Sequence, residues 1–109
     1  PMLFAGSELG LEGAWGEDAR RTMPWGAAWD EEFLDEVRAL VALRRESETL
    51  AHGGIRYVHV TDDSIVYLRE TREERLLCRA SRVPEQIDLP FPSLEPLYES
   101  SLFNVWRIG

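Results

Sequence analysis

The sequence predicts an α+β chain: one strand, a long loop and one amphipathic helix, followed by a small antiparallel β-sandwich. Three observations carry that reading. Residues 1–6, PMLFAG, are an apolar run without alternation that stops at glycine, the pattern of a strand buried on both faces. Asp30, then Glu31 and Glu32, then Phe33, Leu34, Val37, Leu40 and Val41 give the cap, the first-turn charge and the spacing of an amphipathic helix. After His52-Gly53-Gly54 the pattern changes to short runs divided by polar turns.

Each element follows in order. The first strand is an interior, parallel one, and an interior strand standing first in the sequence, with no initiator methionine and no polar lead-in, is expected of a fragment. Ser7 to Trp29 holds Gly10, Gly13, Gly16, Gly26, Pro24 and three tryptophans with no sustained period, so it reads as a long structured loop, the kind of segment that usually carries function. The helix should run from Asp30 to about Leu50, where the glycines break it. Strands are expected at Ile55 to Val60, Ser64 to Glu70 and Arg75 to Ser81. Shorter ones are expected at Gln86 to Leu89, Leu94 to Glu99 and Phe103 to Ile108, divided by Pro90, Pro92 and Ser100-Ser101. There is no internal repeat and no low-complexity tract.

Composition excludes several classes. At 109 residues, 44% hydrophobic and 10% aromatic, the chain is too apolar to be disordered. Twelve cationic residues against twenty acids, a net charge of −8, offer no basic footprint to a nucleic-acid backbone or an anionic membrane. The longest apolar runs are far shorter than a bilayer requires, and no secretory signal opens the sequence. Cys78 is the one cysteine, so no internal disulfide is expected and the balance leans to a reducing, cytoplasmic setting. Its neighbours Leu76, Leu77 and Ala80 mark it as a buried small residue. His52 and His59 lie on different elements without a third ligand in step, so no metal site is expected.

A strand, a long loop and a helix form one βα unit, and in (β/α) barrels the loop after the strand lines the active site. The residues then carry a resemblance. Residues 1–13, PMLFAGSELGLEG, resemble the last barrel-strand motif of the α-amylase family of glycoside hydrolases: proline, apolar residues, glycine, a variable residue, glutamate, a variable residue, glycine. Arg20-Arg21-Thr22-Met23-Pro24-Trp25 resembles the Arg-x-Met-x-Trp segment of its neopullulanase, cyclomaltodextrinase and α-glucosidase members. Residues 40–50, LVALRRESETL, are similar to the final barrel helix. Asp62 to Arg69 resembles the strand turn that opens the family's C-terminal β domain.

The resemblance implies that residues 1–53 are the C-terminal end of a catalytic (β/α)8 barrel and residues 54–109 a C-terminal β-sandwich domain. It implies a parent enzyme that cleaves α-1,4 or α-1,6 glucosidic bonds in maltodextrin-like glucans with retention, through an aspartate nucleophile and a glutamate acid/base on earlier strands. No catalytic residue is then expected in this chain, which alone should be inactive. No cofactor is expected, and any calcium of the parent would be held by earlier segments. The partner of the parent is an α-glucan oligosaccharide; the fragment alone should associate with further copies through Pro1 to Gly6.

Four residues are candidates for the site. Glu8, just past the strand, is read as active-site support, a hydrogen-bonding rather than an attacking group; Ser7 beside it stands where the family commonly has an acid. Arg20 and Arg21 offer planar guanidinium forks to sugar hydroxyls, with a surface salt bridge to Glu17 or Asp18 as the competing reading. Trp15 is a candidate for stacking on a sugar's C–H face, whereas Trp25 and Trp29 are read as packing groups. The alternative to a hydrolase segment is a self-standing carbohydrate-binding or protein-interaction module whose tryptophans grip glucan.

Overall fold

The computed structural model describes residues 2–13, 16, 21–26 and 29–109. The chain divides into two compact units, Pro1–Leu43 and Arg44–Gly109.

In the first unit the expected strand does not form. Residues 2–4 are irregular, 5 and 6 lie in a turn and Ser7–Leu9 make one 3₁₀ turn. A strand buried on both faces needs neighbours on both edges to bond its N–H and C=O groups. The described residues of this unit supply none, and the backbone bonds locally: the Ser7 N–H donates to the Phe4 carbonyl at 3.0 Å. Met2, Leu3 and Phe4, expected in an interior, are 85%, 63% and 50% exposed.

Helix α1, Glu31–Glu46, starts where the sequence places it. Asp30 Oδ1 accepts the Phe33 N–H at 2.9 Å, a side-chain N-cap, and Glu31 and Glu32 follow in the first turn, where negative charge is favoured. The expected continuation to Leu50 is interrupted. Ser47 is extended, at φ −105 and ψ 113, and its hydroxyl accepts the Leu50 N–H at 3.1 Å, which caps a separate helix α2, Glu48–His52. Arg44 then turns its guanidinium onto the carbonyls of Leu50 and Ala51, satisfying the end of α2. Gly53 closes that end for want of space: a Cβ there would stand 2.5 Å from the Thr49 carbonyl and 2.9 Å from that of Glu70.

The second unit carries one five-stranded antiparallel sheet, in the order β1-β2-β3-β5-β4, and not the expected sandwich. Its strands are β1 Gly54–Val60, β2 Ser64–Glu70, β3 Arg75–Ser81, β4 Leu94–Glu99 and β5 Phe103–Ile108. Three of the turns repeat one device. The first residue is a hydroxyl amino acid whose side chain accepts the N–H three residues on: Thr61 from Ser64 at 2.9 Å, Thr71 from Glu74 at 3.1 Å, Ser100 from Phe103 at 2.9 Å. These local bonds bend the chain where the polar clusters predict it.

The strand expected at Gln86 to Leu89 is irregular chain. It lies between Pro84 and Pro90, with Pro92 beyond, and each proline removes a ladder donor. With five strands already joined edge to edge, nothing is left to build a second sheet. The segment serves as a cover instead. Ile87, Leu89 and Phe91 pack on Val66, Leu68 and Leu77, together with Val58, Leu94, Trp106 and Ile108. Register explains the core: Leu68 faces Leu77 across β2 and β3, and Leu77 faces Trp106 across β3 and β5. A bulge between Tyr57 and His59 shifts the register of β1 where Val58 joins this cluster.

Candidate functional site

The loop after the first segment begins with a backbone device. Gly6 sits at φ +92, a conformation open to glycine and strained for other residues, and its carbonyl accepts the N–H groups of both Leu9 and Leu11 at 3.0 Å. Leu11 lies so close that a Cβ on Gly6 would meet its Cδ2 at 2.7 Å. The half-buried Glu8 completes the turn by accepting the Gly6 N–H through Oε2 at 3.0 Å. The carboxylate thus holds the backbone of its own turn.

Of the other candidates, Arg21 is exposed. Trp15 and Arg20, and the Glu17 and Asp18 of the competing salt-bridge reading, lie outside the described residues. What the structure does bring together is a pair the sequence reading assigned to packing. Trp29 donates its indole N–H to the Pro24 carbonyl at 2.8 Å. Trp25 leans against it, ring centroids 6.1 Å apart and planes at 56°, while remaining 77% exposed. Trp29 anchors and Trp25 is displayed, a fixed aromatic surface with an apolar face turned outward.

The sheet holds a second polar locus. On the face that carries Val66 and Leu68, the polar side chains of Ser64, Ser81, Arg79 and Asn104 gather at one end. The Ser64 and Ser81 hydroxyls are 2.7 Å apart and Ser64 donates to the Glu85 carboxylate. Arg79 donates Nε to Ser81 Oγ at 3.0 Å, Nη1 to Asn104 Oδ1 at 3.3 Å and Nη2 to the Glu85 carbonyl at 2.5 Å. Beside this network a groove of about 600 Å³ is lined by Arg79, Glu85, Gln86, Asp88 and Trp106, among others. The sequence reading did not single out these residues. The available signal was Arg79 itself, a charge on the inward register of β3 where alternation calls for an apolar group.

Three electrostatic features complete the description. Cys78 is 4% exposed, and burial pushes its thiol up to about 11, so it is an inert core thiol; burial likewise raises the phenol of Tyr67, which faces it across β2 and β3. The Glu74 carboxyl is held below its usual range, first by the Thr49 hydroxyl and then by Arg107. Arg107 bridges Glu74 and Glu95, each at 2.9 Å. Among the described residues no three of His, Cys, Asp and Glu converge as metal ligands, and no helix is long and apolar enough to cross a membrane.

No family model matches the chain. Individual proteins do. A cyclomaltodextrinase from Geobacillus thermopakistaniensis (strain MAS1) is 25% identical over 95 residues, 84% of this chain and 16% of the relative. The ligand-free cyclic α-maltosyl-(1→6)-maltose hydrolase of Arthrobacter globiformis superposes with a TM-score of 0.65 at 30% identity, over 76% of this chain and 19% of that one. The maltogenic amylase of S. marinus shares the fold, with a TM-score of 0.71 over 96% of this chain and 16% of that one, at 20% identity. The class these relatives share is that of the glycoside hydrolases. More particularly, the chain is related to a portion of α-amylase-family enzymes, and the motif resemblance is to their C-terminal end. It spans less than a fifth of the length of the relatives just named.

Proposed function

We propose that the chain is the non-catalytic C-terminal portion of a retaining α-glucan hydrolase acting on α-1,4 or α-1,6 bonds of maltodextrin-like substrates. Residues 1–53 would close its barrel and residues 54–109 would form its C-terminal β domain. The observation that supports this most is the order of relatedness: one sequence of elements, matched to α-glucan-acting enzymes over most of its own length and a small part of theirs.

The chemistry of the loop agrees with a supporting role. Retaining hydrolysis takes two carboxyl groups about 5 Å apart across the scissile bond, and Glu8 is engaged in holding the Gly6 turn. Fixing that turn fixes the start of the loop that would face the glucan, which is what active-site support means physically. Arg20 and Arg21 would then reach sugar hydroxyls and Trp15 would stack on a ring, away from the bond being cut. Any calcium of the parent would be bound by other segments. The exposed Trp25 against Trp29 favours, as a second reading, a carbohydrate-binding module that grips glucan by itself.

The test has two parts. The chain alone, assayed on p-nitrophenyl α-glucoside, pullulan and cyclodextrin, is expected to show no turnover; activity lost in Glu8→Gln would contradict the reading. In the longer enzyme, Arg20→Ala or Arg21→Ala should raise KM for longer oligosaccharides more than it changes kcat, since a contact remote from the bond contributes binding shared by ground and transition states. Unchanged kinetics at every chain length in both variants would return the arginines to surface pairing.

A further inference from the structure

We propose that the groove between the 85–89 segment and Trp106 is a second binding site for α-glucan, separate from the loop that carries Glu8 and Arg21. The proposal rests on the reading of the chain as part of an α-glucan hydrolase. Its size is suited to a ligand: about 600 Å³ lies within the roughly 300–1,000 Å³ of small-molecule sites.

The lining is built from the inside out. Trp106 packs on the Val66, Leu68 and Leu77 core and its indole N–H donates to Glu99 Oε1 at 3.1 Å, so the ring is fixed in place before any ligand arrives. Arg79 is held by Ser81, Asn104 and the Glu85 carbonyl, and the Glu85 carboxylate accepts the Ser64 hydroxyl. These charged groups form a rigid floor. The 85–89 segment alternates: Ile87 and Leu89 pack on the core and add apolar surface to the groove wall, while Gln86 and Asp88 are exposed and give it a polar rim.

A ligand therefore meets a fixed aromatic ring, an amide that both donates and accepts, and a carboxylate that accepts. That combination matches a neutral pyranose chain, with an apolar C–H face for the ring and a hydroxyl rim for Gln86 and Asp88. An anion is disfavoured, because the three donating nitrogens of Arg79 already have acceptors and Glu85, Asp88 and Glu99 lie nearby.

The experiment is a titration of the chain with maltoheptaose, followed by calorimetry and by the Trp106 indole N–H resonance. Expected are saturable binding, movement of that resonance, and affinity weakened about fivefold by Gln86→Ala and by Asp88→Ala, each removing about one hydrogen bond. Trp106→Phe, which keeps a ring in the core, should weaken binding further, with folding checked by the dispersion of the remaining amides. Binding that survives all three variants but is lost in Trp25→Ala would overturn the groove site and leave the glucan-hydrolase reading standing. Binding of spermidine but not of maltoheptaose would make the groove a cation site and overturn the proposal. No binding of maltoheptaose would overturn it as well, while the hydrolase reading is judged separately, by the kinetics of the longer enzyme.

Discussion

The Glu8 carboxylate accepts the Gly6 amide at 3.0 Å, so the glutamate of the proline-glycine-glutamate-glycine motif is bonded to the glycine two positions before it. That bond ties a positive-φ residue to its 3₁₀ turn, while the Leu11 side chain lies close over Gly6, and the three make separate demands on residue 6.

Gly6→Ala should therefore cost more than Gly10→Ala. Both glycines have positive φ, and an alanine at either incurs about 1 kcal/mol of backbone strain. Only at Gly6 does the new methyl collide, with Leu11 at 2.7 Å; at Gly10 the nearest atom is 3.8 Å away. Glu8→Ala should cost about 1 kcal/mol, as a lost N-cap does. Hydrogen exchange at the Leu9 and Leu11 amides measures all three. Equal protection in the two glycine variants would mean that Leu11 yields without cost.

Stability at alkaline pH should report Cys78. A thiol raised to about 11 in the folded chain from an ordinary value of 9.0 keeps its proton while the unfolded chain loses it. Its contribution is complete below pH 9 and falls away through pH 11, by about 3 kcal/mol. Tyr67, also raised by burial, acts in the same direction. All twelve cationic side chains are arginine, so no lysine titrates in that window. Urea midpoints against pH should drop less in Cys78→Ala than in the parent sequence. Parallel curves would assign the drop to other groups.

Arg79→Met should destabilise by about 3 kcal/mol. It leaves Ser81, Asn104 and the Glu85 carbonyl without the donor each now has, and an orphaned buried acceptor costs about 1–3 kcal/mol. Arg82→Ala is the control. Its pair with Asp63 has side chains 74% and 49% exposed, and such pairs contribute at most about 1 kcal/mol. Chemical denaturation of both variants decides; similar midpoints would show that water in the groove replaces the guanidinium.

Strand positions were legible because their turns are local. Thr61, Thr71 and Ser100 close their own bends, so β2 through β5 fall where the polar clusters place them apart from the 86–89 segment. That there is one covered sheet and not a sandwich was not legible, since Ile87, Leu89 and Phe91 have the alternation of a strand and only the absence of a partner edge makes them a cover. The helix break at Ser47 was hidden for a related reason: a serine at that place reads as polar face until its hydroxyl is seen on the Leu50 amide. The first apolar segment shows the same limit in reverse, because an interior strand is a property of the sheet around it. Of the site, the Glu8 motif was legible because its residues are adjacent in sequence. The Arg79 groove was not, because it assembles residues from β3, β5 and the covering segment through register alone.

Self-association is the remaining expectation, and it follows from Met2, Leu3 and Phe4 standing 85%, 63% and 50% exposed in one run. Burial of a large apolar side chain is worth about 1.5–3 kcal/mol, and three consecutive ones form a patch that a second copy can cover. A two-fold arrangement is the natural one, because two identical deficits then satisfy each other. Residues 2–4 belong to no strand, so antiparallel pairing of two such segments would add ladder bonds to the burial. The edge at β4 is a poor competitor. It carries Pro96, flanking Glu95 and Glu99, and a bulge between Pro96 and Tyr98, features that discourage pairing. The chain alone should therefore scatter light as a dimer or larger at high concentration, and Leu3→Ser with Phe4→Ser should return it to monomer without changing its urea midpoint. A monomer in the unmodified chain, with its Leu3 and Phe4 amides exchanging freely, would show that this patch needs no second copy.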